Sequence, residues 1–188
     1  MIEKLLPLLA VLTSLWPISA SSQPAPRPHD LMPVPASVEF SDGRLAITTA
    51  FSVSVAGCRD PRVEAAVARA LRRLQGRTGL EFSTPVVTAP DSATLVVECA
   101  RAGGALPSLR DDESYTIEVN ERQARLRAVE ASGVLRGLET LLQLAGSDRQ
   151  GFFLPAVRID DRPRFPWRGL LIDVCRHWLP IEVIKRNL

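Results

Sequence analysis

Arg162-Pro163-Arg164-Phe165-Pro166-Trp167-Arg168-Gly169-Leu170-Leu171-Ile172-Asp173-Val174-Cys175-Arg176-His177-Trp178-Leu179-Pro180 decides how the rest of the chain is read. Prolines and a glycine precede an unbroken apolar run from Leu170 to Ile172, and Asp173, Arg176 and His177 follow it, the pattern of a turn, a strand and a polar cluster. A strand apolar on both faces belongs in a parallel sheet covered on both sides. Past Pro180 the period changes: Ile181, Val183, Ile184 and Leu188 are apolar while Lys185 and Arg186 are not, which predicts a helix opened by proline. Strand, loop and helix make the opening unit of an α/β architecture, and one such unit cannot cover its own faces. The expectation is that residues 161–188 begin a barrel of which this sequence carries the first piece.

Upstream, residues 36–160 mix strand and helix signals. Val38 and Phe40, then Ser41-Asp42-Gly43, then Leu45 and Ile47 predict a hairpin, and Phe51, Val53 and Val55 continue at a period of two as a further antiparallel strand. Asp60-Pro61 supplies a helix cap and a first-turn proline, after which Val63, Ala66, Val67, Ala70, Leu71 and Leu74 share one face until Gly76. Arg69, Arg72 and Arg73 fall off that stripe and read as a solvated face, since no phosphate-cradling loop accompanies them. Strands are predicted at 95–98, 115–119 and 124–129, the last two joined as a hairpin through 120–123. A second helix covers 133–145, with Val134, Leu135, Leu138, Leu141, Leu142 and Ala145 on its apolar stripe and Gly146 closing it. Gly137 inside it costs roughly 1 kcal/mol against alanine, so it is predicted to permit close approach to a sheet. The fold class is α+β: a largely antiparallel sheet with two helices on one face.

Residues 1–22 combine Lys4, an apolar stretch from Leu5 to Ile18 broken by Pro7 and Pro17, and the small residues Ser19 to Ser22. That stretch is too short to span a membrane and fits a secretory signal cleaved after Ala20 or Ser22, which predicts a secreted or periplasmic protein with no membrane attachment after cleavage. Residues 23–35 contain Pro24, Pro26, Pro28, Pro33 and Pro35 and are expected to form an extended linker that buries little, with His29 solvated. A net charge of +2, with no basic run interleaved by aromatics, argues against a nucleic-acid partner. Cys58 and Cys99 each lie beside a predicted strand end; a disulfide between them and three free buried thiols are both open, and Cys175 is expected to be buried in the barrel. His177 has no partners at ligand spacing, so neither a metal nor another cofactor is expected.

The run from Pro163 to Pro180 resembles the start of the catalytic barrel of β-N-acetylhexosaminidases, glycoside hydrolase family 20. Gly133-Val134-Leu135-Arg136-Gly137-Leu138-Glu139-Thr140-Leu141-Leu142-Gln143-Leu144 is similar to the second helix of the small domain that precedes that barrel. Cys175 departs from the pattern, which usually has serine or threonine there. The resemblance implies a hexosaminidase N-terminal domain over 36–160, followed by the beginning of a truncated (β/α)8 barrel over 161–188. It also implies hydrolysis of terminal N-acetylhexosamine from an oligosaccharide or glycoconjugate, with the sugar's own acetamido oxygen in place of an enzyme nucleophile. In such a family an adjacent Asp-Glu pair does the chemistry; it is expected downstream of the motif, so these 188 residues are expected to lack turnover.

Arg176 follows the apolar run and Arg168 precedes it, which puts Arg176 at the catalytic mouth of a barrel and Arg168 at the opposite end. The resemblance agrees and implies that Arg176 binds hydroxyls of the terminal sugar, a task suited to a rigid fork of donors. Asp173 and His177 are expected to support the pocket from behind, and Arg168 to be structural, paired to an acid at the domain junction. Asp111-Asp112-Glu113 reads as a solvated turn remote from the barrel. The rival reading is a non-catalytic α+β carbohydrate-binding or interaction module, against which stands the shortage of aromatics for sugar stacking: Tyr115, Trp167 and Trp178 besides phenylalanines.

Overall fold

The computed structural model describes residues 29–187; the proposed signal segment and cleavage points, and residues 23–28 of the proposed linker, lie outside them. The order of elements is β1 (Ser37–Ile47), β2 (Val53–Gly57), α1 (Pro61–Thr78), β3 (Leu95–Arg101), β4 (Tyr115–Val119), β5 (Ala124–Glu130), α2 (Ala131–Leu144), β6 (Gly146–Asp148), β7 (Gly151–Asp161) and α3 (Ile181–Asn187). The strands form one mixed sheet in the order β1-β7-β4-β5-β3-β2, with β6 paired to β7. The α+β class stands. The sheet is mixed, because β2, β3 and β5 are mutually parallel.

That parallel trio follows from the connections. β2 reaches β3 through α1, and a crossover helix delivers the next strand in the same direction. The reading of Phe51 to Val55 as a further antiparallel strand is therefore wrong: Val53 pairs in parallel with Leu95. The hairpin expected at Ser41-Asp42-Gly43 is also absent. β1 is one strand antiparallel to β7, and its register slips between Phe40 and Arg44. Pro155 of β7 lies opposite the slip and has no N–H to donate, so the ladder breaks there and Gly43, at φ 102°, takes up the bulge. The β4–β5 hairpin forms as predicted, with the Asn120 side chain accepting from the N–H groups of Arg122 and Gln123.

α1 begins where Asp60 and Pro61 place it, the Asp60 carboxylate accepting from Arg62 N at 2.8 Å. It runs past Gly76 and ends at Gly79, which adopts the left-handed conformation (φ 68°) and donates to Gln75 O. Gly76 is thus an interior helix residue rather than a stop. α2 starts two residues earlier than predicted, at Ala131. Gly137 does allow close approach: a Cβ there would lie 2.3 Å from Leu126 Cδ1, and one on Gly133 only 2.2 Å from Ser114 O.

Both helices cover one face of the sheet. Val67, Leu71 and Leu74 of α1 and Leu138, Leu141 and Leu142 of α2 close on Phe51, Val53 and Leu95. At about 25 cal/mol per Å² of apolar surface, this layer is the main source of stability. Strand alternation turns the charges of β3, β4, β5 and β7 to the other face. There Arg127 pairs with Glu98 and Glu118, and Arg158 with Glu118, while Arg125 also meets Glu98.

Three further expectations change. Leu31, placed in a linker that buries little, is 5% exposed, and Met32 exchanges two hydrogen bonds with the Gln143 amide of α2. His29 is half-buried against Phe40 rather than solvated. Among the described residues no strand follows Asp161: Leu170 and Leu171 are 69% and 95% exposed, and Cys175 is exposed rather than buried. A buried strand needs neighbours for its N–H and C=O groups, and no described strand lies beside this run. The helix after Pro180 forms, with Val183 and Ile184 donating to Pro180 O. Cys58 and Cys99 are joined as a disulfide across the ends of β2 and β3.

Candidate functional site

The polar cluster after the apolar run is built around Asp173. Its Oδ1 accepts from Cys175 N at 2.9 Å and Arg176 N at 3.4 Å, the local bond by which an aspartate shapes a turn. Its Oδ2 meets Arg176 Nε at 2.9 Å. One carboxylate thus bends the backbone and orients the guanidinium. The outer fork stays open: the Arg176 side chain is 92% exposed. His177 follows on the same turn, also exposed. Of the residues expected to act together, the structure brings Asp173 and Arg176 into contact, and Arg168, expected apart from them and paired to an acid, lies elsewhere against Glu113.

Arg168 lies against the sheet domain. Its Nη1 donates to Phe165 O and its Nη2 to Glu113 Oε2, while Glu113 Oε1 accepts from Nε of Arg136 on α2 at 2.7 Å. The solvated-turn reading of Asp111-Asp112-Glu113 is overturned, since each carboxylate is engaged. Asp111 accepts from Ser108 and Ser132, Asp112 from the backbone and hydroxyl of Ser114, and the Asp112 N–H donates to the nearly buried Glu130 carboxylate. The Glu113 side chain is 16% exposed. Burial pushes its carboxyl up, but the hydrogen bonds from Arg168 and Arg136 outweigh that and hold it below the usual range.

Glu113, Arg136 and Trp167 face one another across a cleft of about 410 Å³ between α2, the loop before β4 and the segment after β7. Glu113 and Arg136 were missed in the sequence. Arg136 has Glu139 at i+3 on the predicted helix, which points to a pair along that helix and not to Glu113, so the only available signal for Glu113 was an acid placed directly before a buried strand. Among the described residues no group of histidine, cysteine and carboxylate side chains converges as a metal site, and no helix is long and apolar enough to cross a membrane.

Residues 28–162 match the profile of Glycosyl hydrolase family 20, domain 2. The β-hexosaminidase subunit beta of Rattus norvegicus is 49% identical over 85 residues, 45% of this chain and 16% of that protein. A β-N-acetylhexosaminidase of Cellulomonas fimi is 34% identical over 158 residues, 82% of this chain and 30% of its own length. The solved structure of a Flavobacterium johnsoniae chitobiase superposes with a TM-score of 0.75 at 41% identity, covering 84% of this chain and 24% of that one. The chain therefore spans only a minor part of the proteins it matches.

Proposed function

The chain belongs to glycoside hydrolase family 20, its residues 28–162 being domain 2 of that family, and on that premise we propose that it is the sheet domain and barrel opening of an exported β-N-acetylhexosaminidase. The substrate class is a glycan ending in N-acetylhexosamine, and Arg176 binds hydroxyls of that terminal sugar. The observation that carries this reading is the turn at Asp173, which pins Arg176 at its Nε and leaves the outer fork of its guanidinium facing solvent. Two parallel N–H donors on a planar group suit vicinal hydroxyls, and an aspartate behind them keeps the fork oriented at low entropic cost.

Catalysis in this reading is substrate-assisted. The acetamido oxygen attacks the anomeric carbon as an acid protonates the leaving oxygen, and water then opens the cyclic intermediate with retention. The acid and the group that orients the acetamide are an adjacent glutamate and aspartate. In these 188 residues the one Asp-Glu dipeptide is Asp112-Glu113, and its carboxylates are occupied by Ser114, Arg136 and Arg168. It is not that pair. The chemistry therefore belongs to a polypeptide that completes the barrel, in which residues 170–174 gain the strand neighbours they lack here. Export is supported by the leader composition and by the Cys58–Cys99 disulfide, a bond that persists outside reducing compartments.

The test is direct. The chain from Ser21 to Leu188 is expected to release nothing from an aryl N-acetylglucosaminide, while a polypeptide with a complete barrel turns it over. Release by the shorter chain would overturn the assignment of the chemistry.

A further inference from the structure

We propose that Glu113 is a positioning residue: by gripping Arg136 and Arg168 with its two oxygens it seats the segment leaving the sheet domain on α2, and so sets where the chain delivers Arg176. The role of Arg176 in this rests on the reading given above.

Four observations carry the proposal. First, the grip is divided. Arg136 Nε takes Oε1 and Arg168 Nη2 takes Oε2, so two guanidiniums from separate elements share one carboxylate without competing for an atom. Secondly, the post is stiff. Asp112 accepts from Ser114 and donates its N–H to Glu130, Asp111 accepts from Ser108 and Ser132, and Ser114 O lies directly under Gly133 of α2. Thirdly, Arg168 shapes the turn it belongs to, since its other terminal nitrogen donates to Phe165 O. Moving Arg168 therefore moves the whole Phe165–Arg168 turn. Fourthly, Arg176 lies eight residues beyond Arg168, with no described strand between them to fix the path independently.

The chemistry at Glu113 is specific to a carboxylate. Glutamine preserves volume but keeps one acceptor and turns the other atom into a donor facing a guanidinium. One arginine then loses its partner, and Arg168 is the one free to leave, because Arg136 is anchored in a helix.

The probe is Trp167, which lines the same cleft. The chain has three tryptophans, so Trp16→Phe and Trp178→Phe leave Trp167 as the sole reporter. Trp167 is already 77% exposed, so what it reports is mobility. In that background Glu113→Gln is expected to lower the steady-state fluorescence anisotropy of Trp167, because the Phe165–Arg168 turn that carries it comes free on losing one charge-assisted hydrogen bond. Glu113→Asp should recover part of the anisotropy. Arg168→Gln approaches the contact from outside the sheet, so it keeps the test decisive if Glu113→Gln fails to fold. Unchanged anisotropy in Arg168→Gln would overturn the proposal.

The second readout uses the polypeptide with a complete barrel. There Glu113→Gln is expected to raise KM for an aryl N-acetylglucosaminide several-fold with a smaller change in kcat, as for a misplaced binding group. Lowered anisotropy with unchanged KM would leave the grip on Arg168 in place and overturn the delivery of Arg176, whereas an Arg176→Ala variant with unchanged kcat/KM would overturn the sugar-site reading instead. Unchanged anisotropy would remove the grip itself.

Discussion

Gly133→Ala should destabilise the sheet domain, although alanine is the better helix former. The gain on the helix side is at most about 1 kcal/mol, and less near the first turn where Gly133 lies. Against it, the new methyl would sit 2.2 Å from Ser114 O and 2.9 Å from Ala128 Cβ. Ser114 O is backbone, fixed by the start of β4 and by the bonds of Asp112, so it cannot swing aside as a side-chain tip would. Forcing a methylene into a full site costs roughly 1–3 kcal/mol, which leaves a net loss of about 2 kcal/mol. For a domain of this size that is a fall of about 5 °C in thermal midpoint, measured by far-UV circular dichroism. Gly76→Ala is the matched control: it lies inside α1 with nothing within 4 Å of an added Cβ, so its midpoint should rise. A Gly133→Ala midpoint equal to or above that of the parent would refute the packing of α2 on the loop before β4, and with it the stiffness assigned to the Glu113 post.

Cys58 and Cys99 close a loop of 41 residues, for which chain entropy predicts about 4 kcal/mol of stabilisation; Cys58→Ala should lose most of it in a urea melt, and a loss below about 1 kcal/mol would contradict the pairing. Asp60 is buried, and its carboxyl is held below its ordinary value of 3.8, chiefly by the side-chain hydrogen bond from Arg62. A depressed folded value contributes stability that is present above the ordinary value and lost as pH falls through the folded one. The midpoint difference between parent and Asp60→Asn should therefore be largest near neutrality and shrink as pH falls below the ordinary value of 3.8; a difference that grows in acid would refute the ion pair.

Much of the sheet domain was legible because its signals are local. Asp60-Pro61, the helical stripes, the Asn120 turn and the need for a small residue at Gly137 each depend on residues close in sequence. The strand directions were not legible. Val53 to Val55 has the same alternation whether its neighbour runs parallel or antiparallel, and only the α1 crossover decides it. Gly43 and Gly76 show the same limit: glycine marks freedom, and tertiary context turned one into a bulge and left the other inside a helix.

The site divides in a similar way. Asp173 and Arg176 were visible as a cluster following an apolar run, since their contact spans three residues. Glu113 was hidden because its partners lie 23 and 55 residues away, and a run of three acids normally faces water. The expected barrel strand did not form among the described residues, where no strand lies beside the run to take up its N–H and C=O groups. Pattern recognised the segment, but hydrogen-bonded partners are what would make it a strand.

The most direct test of the account is Arg176→Ala in a polypeptide carrying the complete barrel, assayed on an aryl N-acetylglucosaminide. Loss of a guanidinium bound to sugar hydroxyls through charge-assisted hydrogen bonds should lower kcat/KM by roughly 10- to 100-fold. A variant that retains the parent's kcat/KM would contradict the assignment of Arg176 to the sugar site.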